Sequence, residues 1–348
     1  MAYDLKTIAK ITGYSVSTVS RVVNGKGRVS KETREKIMAI VNQCNYVPNQ
    51  IARSLKSNAT NTVGIIVPDI REYFYKVIRA ADAIFSRHGY SILLADSNED
   101  PKKEEMYIKL MYEKRVDGLI LATVSNEFKA LDIFFNNSVP VLFIDNLPNI
   151  DAAYEDCVLL DNAKASSMAI DQFIEQGHRR IAIISGTETE MTGHERMDGY
   201  IRGMRRHGIE PDESLIKIGR YEEDEGYRCM MELLSNRQES NFTAVYVSSY
   251  KMSCGAFKAI KEMGLKIPDD VAVIAFDFTD DTGLITPTIT SVVQPIDRIG
   301  RIVAERLIGR MKVAKQTGEE PEEEDIPQKI ILAPGMLLGE SSRYVNKT

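Results

Sequence analysis

From Val63 onward the chain alternates between short apolar runs and longer amphipathic stretches, and this alternation constrains the fold more than any single motif. Val63–Val67, Ser91–Ala95, Gly118–Ala122 and Val141–Ile144 are rich in Val, Ile and Leu, as strands covered on both faces are. Tyr75–His88, Lys103–Lys114 and Phe128–Asn137 fall between them as helices. Strand–helix–strand alternation implies a parallel sheet with right-handed crossovers. Cys157–Asp161 continues as a strand that crosses to a second lobe, where the theme repeats. There the strands are Arg180–Ile184, Thr243–Val247 and Val271–Phe276. The helices are Ala165–Gln176, Arg196–His207 and Ser253–Met263, each followed by a terminating glycine at 177, 208 or 264. Ile289–Gln294 should return to the first lobe, with the helix Arg298–Val313 there, and Lys329–Leu332 and Met336–Gly339 are the last strands. Thr317–Gln328 is acidic, holds two prolines and reads as an exposed loop.

The first 46 residues follow a different rule. Ala9, Gly13 and Val19 stand at helix-turn-helix offsets. A small residue lets two helices cross closely, and Gly turns the chain between them at little steric cost. Ser15 is placed to cap a second helix, about Ser15–Asn24, whose Val19 and Val22 would face Ile8 and Ile11. Its outer face carries Val16, Ser17, Thr18, Ser20 and Arg21, groups suited to a major groove. A third helix, about Ser30–Asn45, adds Ile37, Ile40 and Val41. Spacing alone is equally compatible with a small bundle that meets no nucleic acid. Charge weighs against that alternative. Residues 1–62 hold ten Lys/Arg and three Asp/Glu, a net +7 in a chain of −6, so the remainder carries −13. A basic head on an acidic body is the signature of a polyanion partner.

Ser17-Thr18-Val19-Ser20-Arg21-Val22-Val23-Asn24 and the segment Tyr46–Lys56 (YVPNQIARSLK) resemble the recognition helix and hinge of the lactose/galactose repressor family of bacterial transcriptional regulators, and the likeness extends along almost the whole chain. The resemblance implies an all-α helix-turn-helix domain at 1–46, a hinge helix and linker at 47–62, and an α/β, two-lobed, periplasmic-binding-protein-like body with parallel sheets at 63–348. Lobe 1 would take about 63–161 and 294–328, and lobe 2 about 162–293 and 329–348. It further implies a homodimer on a pseudo-palindromic double-stranded DNA operator. Val16, Ser17 and Arg21 would lie nearest the base edges, with Ser15, Thr18, Ser20, Asn24 and Arg28 on phosphates. In the hinge, Asn49 would cap a short helix and Ala52, Arg53 and Lys56 would approach the duplex. Leu55 would be a minor-groove wedge; the alternative for Leu55 is ordinary helix packing. No leucine heptad follows the last strand, so a dimer is expected rather than a tetramer.

Ligands of open α/β sheets lie beyond the carboxyl ends of the strands. The side chains there are Tyr73, Phe74, Asp145, Asp161, Thr192, Arg196, Ser249 and Asp277. Arg196 in R-M-D-G-Y and Asp277 in A-F-D are similar to the family's effector-contacting motifs. A guanidinium and a carboxylate can share the hydroxyls of a polyol, and Tyr73 or Phe74 can cover a sugar's C–H face. The alternative for Arg196 and Asp277 is an interlobe salt bridge. Ser249-Tyr250 replaces the family's usual Asn-Asp. That departure keeps open control by a protein partner, as in the family's catabolite control proteins, beside control by a sugar or related metabolite.

Enzyme motifs are missing: Gly25-Lys26-Gly27 lacks phosphate-loop spacing and Ser185-Gly186 lacks a nucleophile elbow. Four scattered cysteines and four histidines show no ligand spacing, so neither metal nor cofactor is expected. The opening MAYDLKTIAK has no apolar h-region and no long apolar run follows, which points to a cytoplasmic, membrane-free protein.

Overall fold

The computed structural model describes residues 4–25, 27–44, 46, 59–125, 129–280, 282–314 and 326–344, the side chain of residue 72 excepted. The chain divides into two compact units, 1–60 and 61–348. Among the described residues no helix is long and apolar enough to cross a membrane.

The first unit holds α1 (Leu5–Thr12), α2 (Val16–Val23) and α3 (Lys31–Gln43). Each starts at a side-chain cap: Asp4 accepts from the Thr7 amide, Ser15 from Thr18 and Ser30 from Thr33. Gly13 turns the chain between α1 and α2 at φ +72°, where any other residue would be strained. Ile8, Ala9, Val19, Val22, Ile37 and Val41 form the buried core. Ile40 is only partly buried at its edge. Ile11 does not join it, being 51% exposed; Leu5 and Tyr14 pack there instead. The hinge residues Asn49, Ala52, Arg53, Leu55 and Lys56 lie outside the described residues.

The body is built on two six-stranded sheets. The first has the order β11-β5-β4-β3-β1-β2, with β1 Thr62–Val67, β2 Ser91–Asp96, β3 Gly118–Leu121, β4 Val141–Ile144, β5 Cys157–Leu160 and β11 Lys329–Leu332. The second runs β12-β10-β9-β8-β6-β7, with β6 Ile181–Ser185, β7 Ile216–Ile218, β8 Ala244–Val247, β9 Ala272–Phe276, β10 Thr290–Val293 and β12 Gly335–Leu337. All pairings are parallel except β10 with β12. Helices α4 (Glu72–Arg87), α5 (Pro101–Glu113), α6 (Asn162–Glu175), α7 (Met191–Arg206), α8 (Glu223–Ser235), α9 (Tyr250–Glu262) and α10 (Ile296–Val313) cover the faces. Strands such as β6 and β9 are buried at every position, which explains their unbroken apolar runs.

Two sequence assignments need correction. Lys329–Leu332 belongs to the first sheet, paired residue by residue with Cys157–Leu160; placing 329–348 wholly in lobe 2 is wrong by this strand. Thr290–Val293 still belongs to the second sheet beside β9, so the return follows it rather than including it. The chain therefore crosses between lobes after β5, after β10 and after β11. Further differences lie in helices. Of the helix expected over 128–137, the described residues form only a short 3-10 turn and the single helical turn Asp132–Phe135. α7 begins at Met191 rather than Arg196, and β7 and α8 were not foreseen.

Candidate functional site

The carboxyl ends of both sheets converge on a cavity of about 560 Å³ lined by residues of both lobes. Tyr73, Phe74, Asp145, Thr192, Arg196, Ser249 and Asp277 all line it. Asp161 does not. Its carboxylate accepts the Lys164 amide at 2.9 Å and caps α6, because a strand end that leads straight into a helix uses its carboxylate on the helix's free amides.

Arg196 occupies the second turn of α7 and is 5% exposed. Its Nε donates to Asn162 Oδ1 at 2.9 Å and its Nη1 to the Ser248 carbonyl at 2.7 Å. The guanidinium lies on the Phe276 ring, 3.8 Å from its centre. Neighbouring Tyr221, Asp145, Tyr246 and Asp277 hold its charge against desolvation. The side chain is thus fixed before any ligand arrives. Asp277 follows β9 at φ +53°, a left-handed conformation that Asp tolerates. Its carboxylate accepts the backbone amide of Gln294 at 2.9 Å and the side-chain amide at 2.8 Å. Burial raises its pKa, and those bonds and Arg196 oppose the rise. Arg196 and Asp277 both belong to the second lobe, so the interlobe salt bridge considered for them is not formed.

The interlobe bridge is made by other residues. Lys251, in the first turn of α9, reaches across to Asp69 at 2.8 Å and Glu99 at 3.5 Å beyond the ends of β1 and β2. Asn146 Oδ1 accepts the Thr192 amide at 3.3 Å, and Lys76 donates to Thr279 at 3.2 Å. Asp145 sits after β4 at φ +66°, and burial pushes its carboxyl up to about 6 against the pull of Arg196. Glu190 is pushed up to about 7 by burial, with Glu99 and Asp145 adding repulsion. Tyr221, also at positive φ, donates to or accepts from the Thr192 hydroxyl at 2.9 Å. It lies over Gly186 so closely that a Cβ there would stand 2.0 Å from Tyr221 Cζ. Ser249 caps α9 through the Met252 amide at 3.3 Å, and Tyr250 stacks on Phe278.

Sequence reasoning missed Glu190, Tyr221 and Lys251 as cleft residues. Glu190 adjoins Thr192 in the loop before α7, and Lys251 adjoins the Ser249-Tyr250 departure. Those neighbours were the available signals; Tyr221, after the unforeseen β7, had none.

On the head, Val16, Ser17, Arg21 and Arg28 are exposed. The Ser15 hydroxyl is shared with the Ser17 and Thr18 hydroxyls at 2.8 Å each. Asn24 turns back on its own helix and donates to the Ser20 carbonyl at 2.7 Å and hydroxyl at 3.2 Å. α2 therefore offers an outer face of one apolar side chain, small hydroxyls and one mobile-length guanidinium, compatible with base edges.

Comparison with known proteins agrees with both halves. Residues 4–49 match the family described as bacterial regulatory proteins, lacI family, and residues 170–341 match a periplasmic binding protein-like domain. The chain is 31% identical over 330 residues to the HTH-type transcriptional repressor PurR of Haemophilus influenzae (strain PittEE), covering 94% of this chain and 97% of that one. It is 30% identical over 351 residues to the HTH-type transcriptional regulator DegA of Bacillus subtilis (strain 168), covering 99% and 100%. Catabolite control protein A of Priestia megaterium is 33% identical over 310 residues, covering 88% and 92%. Among solved structures, the lac repressor dimer bound to operator and the anti-inducer ONPF superposes with a TM-score of 0.83 at 22% identity, covering 99% and 100%. The transcriptional regulator CelR–cellobiose complex does so with 0.72 at 27%, covering 97% and 99%.

Proposed function

The chain belongs to the lacI family of bacterial regulatory proteins, DNA-binding transcriptional regulators, and from that premise we propose that it is a repressor acting as a homodimer on a pseudo-palindromic operator, controlled by a sugar or related metabolite in the interlobe cleft. The cleft carries this reading. A guanidinium locked by Asn162, Ser248 and Phe276 faces a cavity also lined by carboxylates and aromatic rings. Such a space suits a small ligand with hydroxyls and a ring face. The relatives named for PurR and for the CelR–cellobiose complex lend support, as does the lac repressor dimer on its operator.

In each half-site α2 enters the major groove, Arg21 pairs with a base edge, and Ser15, Thr18, Ser20, Asn24 and Arg28 hold phosphates. The hinge residues Asn49, Ala52, Arg53, Leu55 and Lys56 act beside the minor groove. Effector binding changes the lobe arrangement and so the operator affinity, with a coupling of roughly 1–3 kcal/mol, or 5- to 150-fold.

The test pairs a thermal-shift screen of sugars and nucleosides with operator binding by fluorescence anisotropy. Support is a ligand that both raises the melting midpoint and changes operator affinity, together with a dimer by sedimentation. The reading falls if no ligand does both while a protein captured from extract changes operator affinity, or if the protein is a monomer.

A further inference from the structure

The charges around the cavity do not balance. Six carboxylates line it, Asp69, Glu99, Asp145, Glu190, Glu223 and Asp277, against three cations, Arg71, Arg196 and Lys251. Each cation is already engaged. Arg71 lies 3.8 Å from Asp69, Lys251 bridges Asp69 and Glu99, and Arg196 is bound to Asn162, Ser248 and the Phe276 face. Asp277 is satisfied by two N–H donors from Gln294. Asp145 and Glu190, from opposite lobes, form no ion pair among the described residues, and both border the cavity. Arg196 acts on both charges without forming a salt bridge to either, and two partly buried carboxylates left in that state are costly. Folded proteins keep such groups where a ligand completes them.

Resting on the reading of this cleft as the effector site, we propose that the effector carries a cationic nitrogen, an ammonium or amidinium group, that pairs with Asp145 and Glu190. Asp145 stands at the end of β4 at φ +66° and lines the cavity. Tyr73, Phe74, Tyr221 and Tyr250 supply ring faces around the same space, and rings attract cations as well as sugar faces. Burial raises both carboxyls and Arg196 offsets only part of that rise, so a ligand cation would favour the ionised form of each. A ligand anion would meet the same excess and be repelled. With the cation bound, the lobes are tied by a second bridge beside that of Lys251, this time through the ligand.

The experiment uses the full chain and matched probes at pH 7, where the amino sugars are mostly protonated. D-glucosamine, D-galactosamine and agmatine are compared with D-glucose, D-galactose, N-acetyl-D-glucosamine and 1,4-butanediol by thermal shift, then by calorimetry. The expected result is that at least one cationic probe binds more tightly than its neutral counterpart. Asp145→Asn and Glu190→Gln should each weaken that probe about 10-fold or more, as loss of one partner of a desolvated charge pair does, and change neutral ligands far less. Asn tolerates positive φ, so Asp145→Asn keeps the fold, and Glu190→Gln gives an independent reading. If neutral probes bind and no cationic probe does better, the proposal is overturned while the effector cleft stands. If neither class binds, both are overturned.

Discussion

The guanidinium of Arg196 rests 3.8 Å above the centre of the Phe276 ring, and Phe276 is itself the residue before Asp277. Stacking and two hydrogen bonds together fix the plane of the guanidinium, which a point charge on a flexible stem cannot reproduce.

Arg196→Lys is therefore a severe change despite the kept charge. It leaves the buried Asn162 Oδ1 and the Ser248 carbonyl without their donors, at about 1–3 kcal/mol for each unsatisfied group. Urea unfolding should show a lower midpoint with an unchanged slope, and the operator complex should no longer respond to effector. A full response with normal stability would mean the fork geometry is irrelevant.

Gly186→Ala places a methyl where Tyr221 lies. The ring must leave, and Thr192 loses its 2.9 Å partner. We expect overpacking to cost about 1–3 kcal/mol and effector affinity to drop. In a double-mutant cycle Gly186→Ala and Tyr221→Ala should be strongly non-additive. Additive effects would place the damage elsewhere.

Asp145 and Glu190 set a pH dependence. Their carboxyls are raised from 3.8 to about 6 and from 4.5 to about 7. The folded state thus holds protons that the unfolded chain has released, and each group's contribution is lost as pH rises through its folded value. Relative to the Asp145→Asn/Glu190→Gln double variant, the ligand-free wild type should lose unfolding free energy between about pH 4 and pH 7. Urea titrations at pH 5 and pH 8 give the difference; a flat or opposite trend refutes it.

Lys251→Met cuts the bridge to Asp69 and Glu99. Asp69 then keeps only Arg71 and the second lobe loses its charged tie to the first, so the lobes should sit further apart on average. Small-angle scattering of the ligand-free protein should report a larger radius of gyration, reversed by saturating effector. An unchanged radius would show that Asn146 and Lys76 suffice.

On the head, Arg21→Ala should cost roughly 1–3 kcal/mol of operator discrimination at one base pair per half-site. Exchanging Arg28 for Ala should instead weaken all sequences alike and flatten the salt dependence by about one ion per site. Competition titrations across a set of single-base operator variants separate the two patterns.

Local chemistry was legible in the sequence and long-range pairing was not. Ser15 and Gly13 announce their roles because a cap or a turn is settled within four residues. The strand ends bearing Asp145 and Asp277 were legible because apolar runs stop abruptly there. Asp161 misled because the same strand-end rule cannot tell a cleft carboxylate from a helix cap. Lys329–Leu332 carries no mark of its partner, which lies some 170 residues earlier in the chain and is fixed only by sheet topology. Tyr221 reaches the cleft with its ring laid over Gly186, a residue far from it in sequence. Ile11 looked like core by periodicity, but a three-helix head is too small to cover every apolar position.

The carboxylate of Asp277 and the amide of Gln294 hold each other at the point where the chain leaves the second sheet for α10. A guest that reaches that carboxylate shares it with the two Gln294 donors. The same side chain thus borders the cleft and tethers one of the three straps joining the lobes, so that a message arriving in the cleft lands on the joint itself.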